Sequence, residues 1–207
     1  MLTYFKIPKV IKNVINIANI NIRSIKNFNP YLFKKHDIII VTEINMLNKG
    51  YMYYPLFDFV YSGNKNKRRG GVGIMFKHWL RSIINDVKFI NKHLIKIKLN
   101  DIQIIGIYNN IWNTKKFLNL LKRHLPKPAQ SKLILLGDFN INVDNVTLTK
   151  FLNDNNIKIC SDTSYYTYKD ISTIDIICCK NVNVVNVYNP IMYKFLDHKL
   201  IHIDVKI

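Results

Sequence analysis

Several apolar runs in this sequence end in, or are broken by, residues that a buried strand does not need. "ANINIRS" carries Asn21, "IIIVTE" ends in Glu43, and "IIGIYNN" ends in Tyr108 and Asn109. "LILLGDFN" delivers Asp138 and Asn140, "STIDIICC" encloses Asp175, and "FLDHKLIHI" presents Asp197 and His198. Taken one at a time these are unremarkable, since Asp and Asn are ordinary turn residues and a strand-end carboxylate is usually solvated or caps a helix. Asp175 is different. Isoleucine on either side places it within a strand, where an unpaired charge is costly, so it needs a partner, and His198 is an attractive one. If the other polar residues gather with this pair, Asp138 and Asn140 stand at the edge of a catalytic pocket.

The elements that must hold them are short. The β-branched runs "VINIANI", "DIIIVTE", "GGVGIMF", "LIKIKL", "IQIIGIY", "LILLGD", "TIDIICC" and "LIHIDVKI" have the length and composition of strands. Fewer helical patterns lie between them. In "NTKKFLNLLKRHL", Phe117, Leu118, Leu121 and Leu125 follow helical spacing behind an Asn113 or Thr114 cap. A second helix is expected from about Val146 to Asn155, and "NPYLFKKH" could supply a short one between the first two strands. Many strands with few helices imply an α/β domain with two packed sheets. No repeat or linker divides the 207 residues, so a single domain over 1–207 is expected.

The charge balance narrows the partner. Thirty-one basic residues face 13 acidic ones, a formal net charge of +18. Such a surface attracts polyanions, of which a phosphate backbone is the commonest. Crowding with Lys, Asn and Ile is also what an AT-rich coding sequence produces, so the charge supports a nucleic-acid partner without proving one. The basic segment "GNKNKRRGG", Gly63 to Gly71, reads either as a solvated hairpin loop or as a phosphate contact through Lys67, Arg68 and Arg69. Cys160, Cys178 and Cys179 have neither disulfide-framework nor zinc spacing. No signal peptide or membrane-spanning run is present, so a soluble intracellular protein without a membrane or disulfide partner is expected.

The order and wording of these motifs resemble the endonuclease/exonuclease/phosphatase superfamily, the DNase I-like phosphodiesterases, and particularly the endonuclease domains of non-LTR retrotransposons. "NIRSI", "DIIIVTE", "RGGVGIMF", "GDFNIN", "STID" and the Asp197–His198 pair fall in the family's order, from about Val14 to the C-terminus. The resemblance implies a four-layer α/β sandwich: two facing, mostly antiparallel sheets flanked by helices, with the site at one end. The Lys, Asn and Ile bias, which points to an AT-rich genome, suggests a viral or mobile-element source.

What the resemblance implies for chemistry is metal-assisted hydrolysis of a phosphodiester. Oxygen ligands suit Mg²⁺ or Mn²⁺. Glu43 resembles the principal metal ligand, with Asn21 in the metal and phosphate shell and Asp197 near the metal. Asn19 is a rival for Asn21, but the "NIRS" register favours Asn21. His198 resembles the histidine on the scissile phosphate, with Asp175 orienting and charging it. Asp138 resembles the residue that positions or deprotonates water or protonates the leaving group, with Asn140 orienting it or binding phosphate. Tyr108 resembles a phosphate-contacting phenol. Thr167 matches a threonine near the phosphate, and Asn109 stands beside these as a nucleic-acid contact. Two departures stand out: Leu196 precedes Asp197–His198 where the family usually has Ser, and Asn109–Asn110 follow Tyr108 where Arg or Ala and then Pro are usual. The implied activity is an endonuclease nicking DNA to leave 3′-hydroxyl and 5′-phosphate ends. The alternatives are a family hydrolase acting on RNA, abasic or adducted DNA or a small phosphoester, and an inactive nucleic-acid-binding module.

Overall fold

The structure is a computed structural model that describes residues 12–66, 68–111, 113–127 and 129–207. Lys67, and most of the opening stretch in which the sequence shows no signal peptide, lie outside the described residues.

The chain lays down two sheets in turn. Strands β1 (Val14–Asn21), β2 (Ile38–Thr42), β3 (Lys49–Tyr53), β4 (Phe57–Ser62) and β5 (Val72–Lys77) enter the first. The second takes β6 (Ile84–Asn91), β7 (Leu94–Leu99), β8 (Ile102–Tyr108), β9 (Lys132–Asp138), β10 (Lys158–Ile159) and β11 (Asp175–Lys180). The chain then returns to the first with β12 (Val184–Val187), β13 (Ile191–Met192) and β14 (Lys199–Lys206). The orders are β12-β14-β1-β2-β5-β4-β3, with β13 also on β14, and β10-β11-β9-β8-β7-β6. Pairing is antiparallel except for β1 with β2 and β8 with β9.

Side chains alternate between the faces of a strand, and here the alternation builds the seam between the sheets. Ile15 and Ile17 of β1, Ile38 and Ile40 of β2, and Ile201 and Ile203 of β14 meet Ile102 and Ile104, Ile134 and Leu136, and Ile177 and Cys179 from the other sheet, all buried. Continuing the same parity past the end of this stack reaches Asn19 and Asn21, Tyr108, Asp138 and Asp175. The site is therefore the polar end of the hydrophobic seam.

The outer faces differ. Helices α1 (Thr114–Lys122) and α2 (Val146–Asp154) cover the second sheet, burying Phe117, Leu118, Leu121, Leu148 and Leu152 against it. The Asn113 and Asn145 side chains accept from backbone N–H groups of the first turns and cap them. The first sheet has no α-helix outside it among the described residues. "NPYLF" forms only a 3-10 turn, Pro30–Phe33, capped by Asn29 and ended well before β2 begins. That face is closed instead by Phe28, Phe33 and Leu196 over Ala18, Ile20 and Ile39. All three cysteines are free thiols. Among the described residues no helix is long and apolar enough to cross a membrane.

Candidate active site

Three strands of the second sheet set one wall. Asp138, the last residue of β9, pairs with Asp175 of β11 on one side and Tyr108 of β8 on the other, so the three stand in one row. Gly137 permits this row. Its φ is +151°, and a Cβ there would lie 1.9 Å from the Ile107 carbonyl oxygen. Phe139 turns back into the core, edge-on to Phe117 at 6.4 Å.

Asp138 and Asp175 are buried, and like charges directly opposite on adjacent strands repel. Burial first, and then the neighbouring Asp175 charge, push the Asp138 carboxyl up to about 8. Asp175 is engaged elsewhere: Oδ2 lies 2.7 Å from His198 Nδ1, and Oδ1 accepts from Asn19 Nδ2 at 3.1 Å. The Thr167 hydroxyl oxygen accepts from the N–H groups of both Ile174 and Asp175. Burial alone lowers the His198 pKa, but the Asp175 hydrogen bond and charge outweigh it and raise it. The pair is thus built to hold an imidazolium. Tyr168 packs on that ring at 4.6 Å.

Asn21 joins this wall to the other sheet. Its amide nitrogen lies 3.0 Å from Glu43 Oε1, 3.0 Å from Asp138 Oδ2 and 3.3 Å from His198 Nε2. Its oxygen accepts from Arg23 N–H. Glu43 follows β2 in left-handed backbone (φ 54°), as do Arg23 (57°), Asn45 (53°) and Asn140 (47°). Four such non-glycine residues around one site mark a shape that must be held by ties rather than by local preference. Asn45 supplies the ties. Its side chain donates to the Arg23 carbonyl, accepts from Gly70 N–H at 2.7 Å, and its own N–H donates to Gly70 O at 2.9 Å.

Glu43, Arg69, Lys92, Tyr108, Asn109 and Asn140 line an open cleft of about 580 Å³. Burial and the Glu43 and Asp138 carboxylates raise the Tyr108 phenol, which therefore stays a hydrogen-bond donor at neutral pH. Asn140 orients Asp138 through its backbone N–H, which donates to Oδ1 at 3.0 Å, while its side chain donates to the Asn109 carbonyl at 2.6 Å. Asn109 is buried, donating to Phe139 O and accepting from Ile111 N–H. Asn109 and Asn140 therefore lock the ends of β8 and β9 to each other. Arg68 is exposed and Lys67 lies outside the described residues.

Asp197 forms an ion pair through Oδ2 with Arg23, while Oδ1 is buried without a hydrogen-bond partner among the described residues. An orphaned carboxylate oxygen and the Glu43 carboxylate are hard donors that fit Mg²⁺ or Mn²⁺. The tightest acidic grouping is a different set: ligand atoms of Asp138, Asp175 and His198 lie within 4.8 Å of one another. Two of these three are already spent on each other, which leaves the Glu43 side as the better cation seat.

Leu196, where a serine is usual, is buried in the outer cluster of the first sheet with Leu200 and Phe33. There a methyl-rich side chain packs and a hydroxyl would lack a partner. Asn45, Arg23 and Tyr168 were not singled out from the sequence, because nothing in their spacing distinguishes them from other loop residues.

The fold and this end-of-seam site define a class, the DNase I-like phosphoesterases. A family model described as the Endonuclease/Exonuclease/phosphatase family matches residues 18–192, and the chain belongs to that family. Its members hydrolyse phosphoester bonds and depend on divalent metal. No curated protein matches the chain in sequence. Among solved structures, an AP endonuclease from Archaeoglobus fulgidus is similar at a TM-score of 0.69 and 18% identity, over 91% of this chain and 98% of that one. A 3′-5′ exonuclease, NExo, from Neisseria meningitidis is similar at 0.65 and 17%, over 93% and 100%. The Neisseria 3′ phosphatase NExo bound to a product DNA hairpin is similar at 0.66 and 16%, over 93% and 100%.

Proposed function

We propose that the protein is a divalent-metal-dependent endonuclease that cuts a DNA phosphodiester to leave 3′-hydroxyl and 5′-phosphate ends. The observation that carries this reading is the gathering of Glu43, Asp138 and His198 around the Asn21 amide nitrogen, with Asp175 behind the imidazole. Glu43 and Asp197 would hold the cation, with Asn21 beside them. When bound, the cation relieves charge on the phosphoryl and departing oxygens.

The chain's own groups do the rest. The His198 imidazolium, backed by Asp175, faces the scissile phosphate and stabilises its growing negative charge. Asp138, with a proton affinity near the working pH, exchanges a proton with the attacking water or the leaving oxygen. Tyr108 donates to a phosphate oxygen, and Arg68 and Arg69 meet phosphates farther along the strand. Thr167 acts through the Asp175 backbone.

Plasmid nicking with Mg²⁺, and its loss in EDTA, tests this reading. Glu43→Ala and His198→Ala are expected to lose about 10²–10⁴-fold with an unchanged circular-dichroism spectrum. Undiminished nicking by His198→Ala removes the mechanism. The similar structures are named as an AP endonuclease, an exonuclease and a 3′ phosphatase, so abasic duplex, a 3′-phosphate hairpin and RNA are the competitor substrates. Faster turnover of any of these reassigns the substrate and keeps the site. Binding without metal-dependent cleavage indicates an inactive binding module.

A further inference from the structure

The cleft does not stop at Asn64 and Lys92. Both residues also line a second open trough, of about 790 Å³, that runs on between the edges of the two sheets. One bank is the end of the β3–β4 hairpin with the segment after β4, bringing Asn48, Lys49 and Lys65. The other is the end of β6 and its turn into β7, bringing Phe89, Asn91 and Lys92.

The first bank is held by main chain. Gly63 N–H donates to Asn48 O at 2.5 Å, Asn48 N–H to Asn64 O at 2.9 Å, and Asn64 N–H to Met46 O at 3.2 Å. The crossing is so close that a Cβ on Gly63 would lie 2.2 Å from the Met46 oxygen. Lys49 reaches across to the opposite bank, its Nζ 5.7 Å from the centre of the Phe89 ring.

The lining is chemically one-sided. Its charged side chains are all lysines, and asparagine amides fill much of the remainder. Among the described residues none of Lys49, Lys65 and Lys92 has a carboxylate partner, whereas Lys12, Lys88, Lys132 and Lys199 each do. Unneutralised ammonium groups lining a trough, one of them beside an aromatic ring, suit a chain of phosphates joined by flat apolar groups. Continuity with the catalytic cleft makes that chain the one being cut.

We propose that this trough binds one strand of the nucleic acid on one side of the scissile phosphate. Its phosphates lie against Lys49, Lys65 and Lys92, and a base or sugar lies against Phe89. The proposal rests on the phosphodiesterase reading and extends it: a small phosphoester would leave the trough empty, so the substrate is a polymer.

The test pairs Lys49→Gln/Lys65→Gln, which lie outside the catalytic cleft, with Lys122→Gln/Lys150→Gln on the exposed faces of α1 and α2. The two double variants lose the same charge. Affinity for a fluorescein-labelled single-stranded DNA oligonucleotide longer than the trough is measured by anisotropy in EDTA across a salt series. Hydrolysis of the oligonucleotide and of bis(p-nitrophenyl) phosphate is measured with Mg²⁺. The trough variant is expected to bind about tenfold more weakly, to lose about 1.4 from its log–log salt slope, and to hydrolyse the small diester at the wild-type rate. The control variant is expected to keep most of its affinity. Equal losses in both variants, or none in the trough variant, overturn the proposal and leave the catalytic reading intact. Lysine-dependent binding by a wild-type protein that cleaves neither substrate and nicks no plasmid DNA with Mg²⁺ supports the trough and removes the catalytic reading.

Discussion

The walls on either side of Asn21 are held by different kinds of structure. On one side Tyr108, Asp138 and Asp175 stand in a single row across β8, β9 and β11, so each is fixed by ladder hydrogen bonds and by the packed seam beneath. On the other, Glu43, Arg23 and Arg69 ride on loops whose left-handed turns are tied together through the Asn45 side chain. Sheet register sets the first wall at the cost of facing two carboxylates. Loop ties set the second, with more exposure and fewer bonds. In the proposed reading, Asp138 and the phosphate-facing Tyr108 stand on the wall set by sheet register, while Glu43 and Arg69 stand on the wall set by loop ties.

The largest effect expected from breaking this contrast is on the rigid wall. Asp175→Asn removes the charge that raises the His198 pKa. Activity is expected to fall about 10³-fold, and the high-pH limb of the rate profile to move toward acid, because the imidazolium then gives up its proton earlier. An unmoved limb in a pH–rate series would separate His198 from Asp175. On the adjustable wall, Asn45→Ala is expected to cost about tenfold in rate through misplacement of Glu43 and Arg69, with about 1 kcal/mol lost from chemical-denaturation stability. Mg²⁺ titration sharpens that result, since a looser Glu43 calls for more cation to reach half-maximal rate.

One substitution on the rigid wall is expected to bring a gain in stability. The folded state keeps the Asp138 proton up to about pH 8, whereas an ordinary carboxyl releases it near 3.8. Stability contributed by this group is therefore lost as pH rises between those values. Asp138→Asn is expected to abolish Mg²⁺-supported activity yet, measured without divalent cation, to raise stability at pH 8 and to change it little near pH 3. Equal unfolding midpoints for the two proteins at pH 8 would show that the repulsion is relieved in another way.

Much of the rigid wall could be read from the sequence, because it obeys a period of two. Ile134, Leu136 and Asp138 are alternate residues, as are Cys179, Ile177 and Asp175, so a polar residue in the inward series announces where the seam ends. The same rule puts Asn19 and Asn21 on one face. They were rivals in sequence, yet both contribute in the structure, Asn19 behind Asp175 and Asn21 in front of Asp138. The adjustable wall follows no period. The bonds from Asn45 to Arg23 and Gly70 join three loops far apart in sequence, and any loop asparagine could make them. Likewise "NPYLF" carries an Asn cap and a proline at the first helical position, signals shared by a helix and a single tight turn, and the chain forms only the turn.

One pairing has a consequence in time. β14 lies against β1 in register from Val14 with Lys206 to Asn19 with Ile201, and His198 stands immediately before β14. At a synthesis rate of about 5–20 residues per second, on the order of ten seconds separate the emergence of these two strands. Until the late strand docks, Asn21 and Asp175 have no imidazole between them, and a contact between segments so distant in sequence is slow to form: the candidate site is the last part of the fold to be completed.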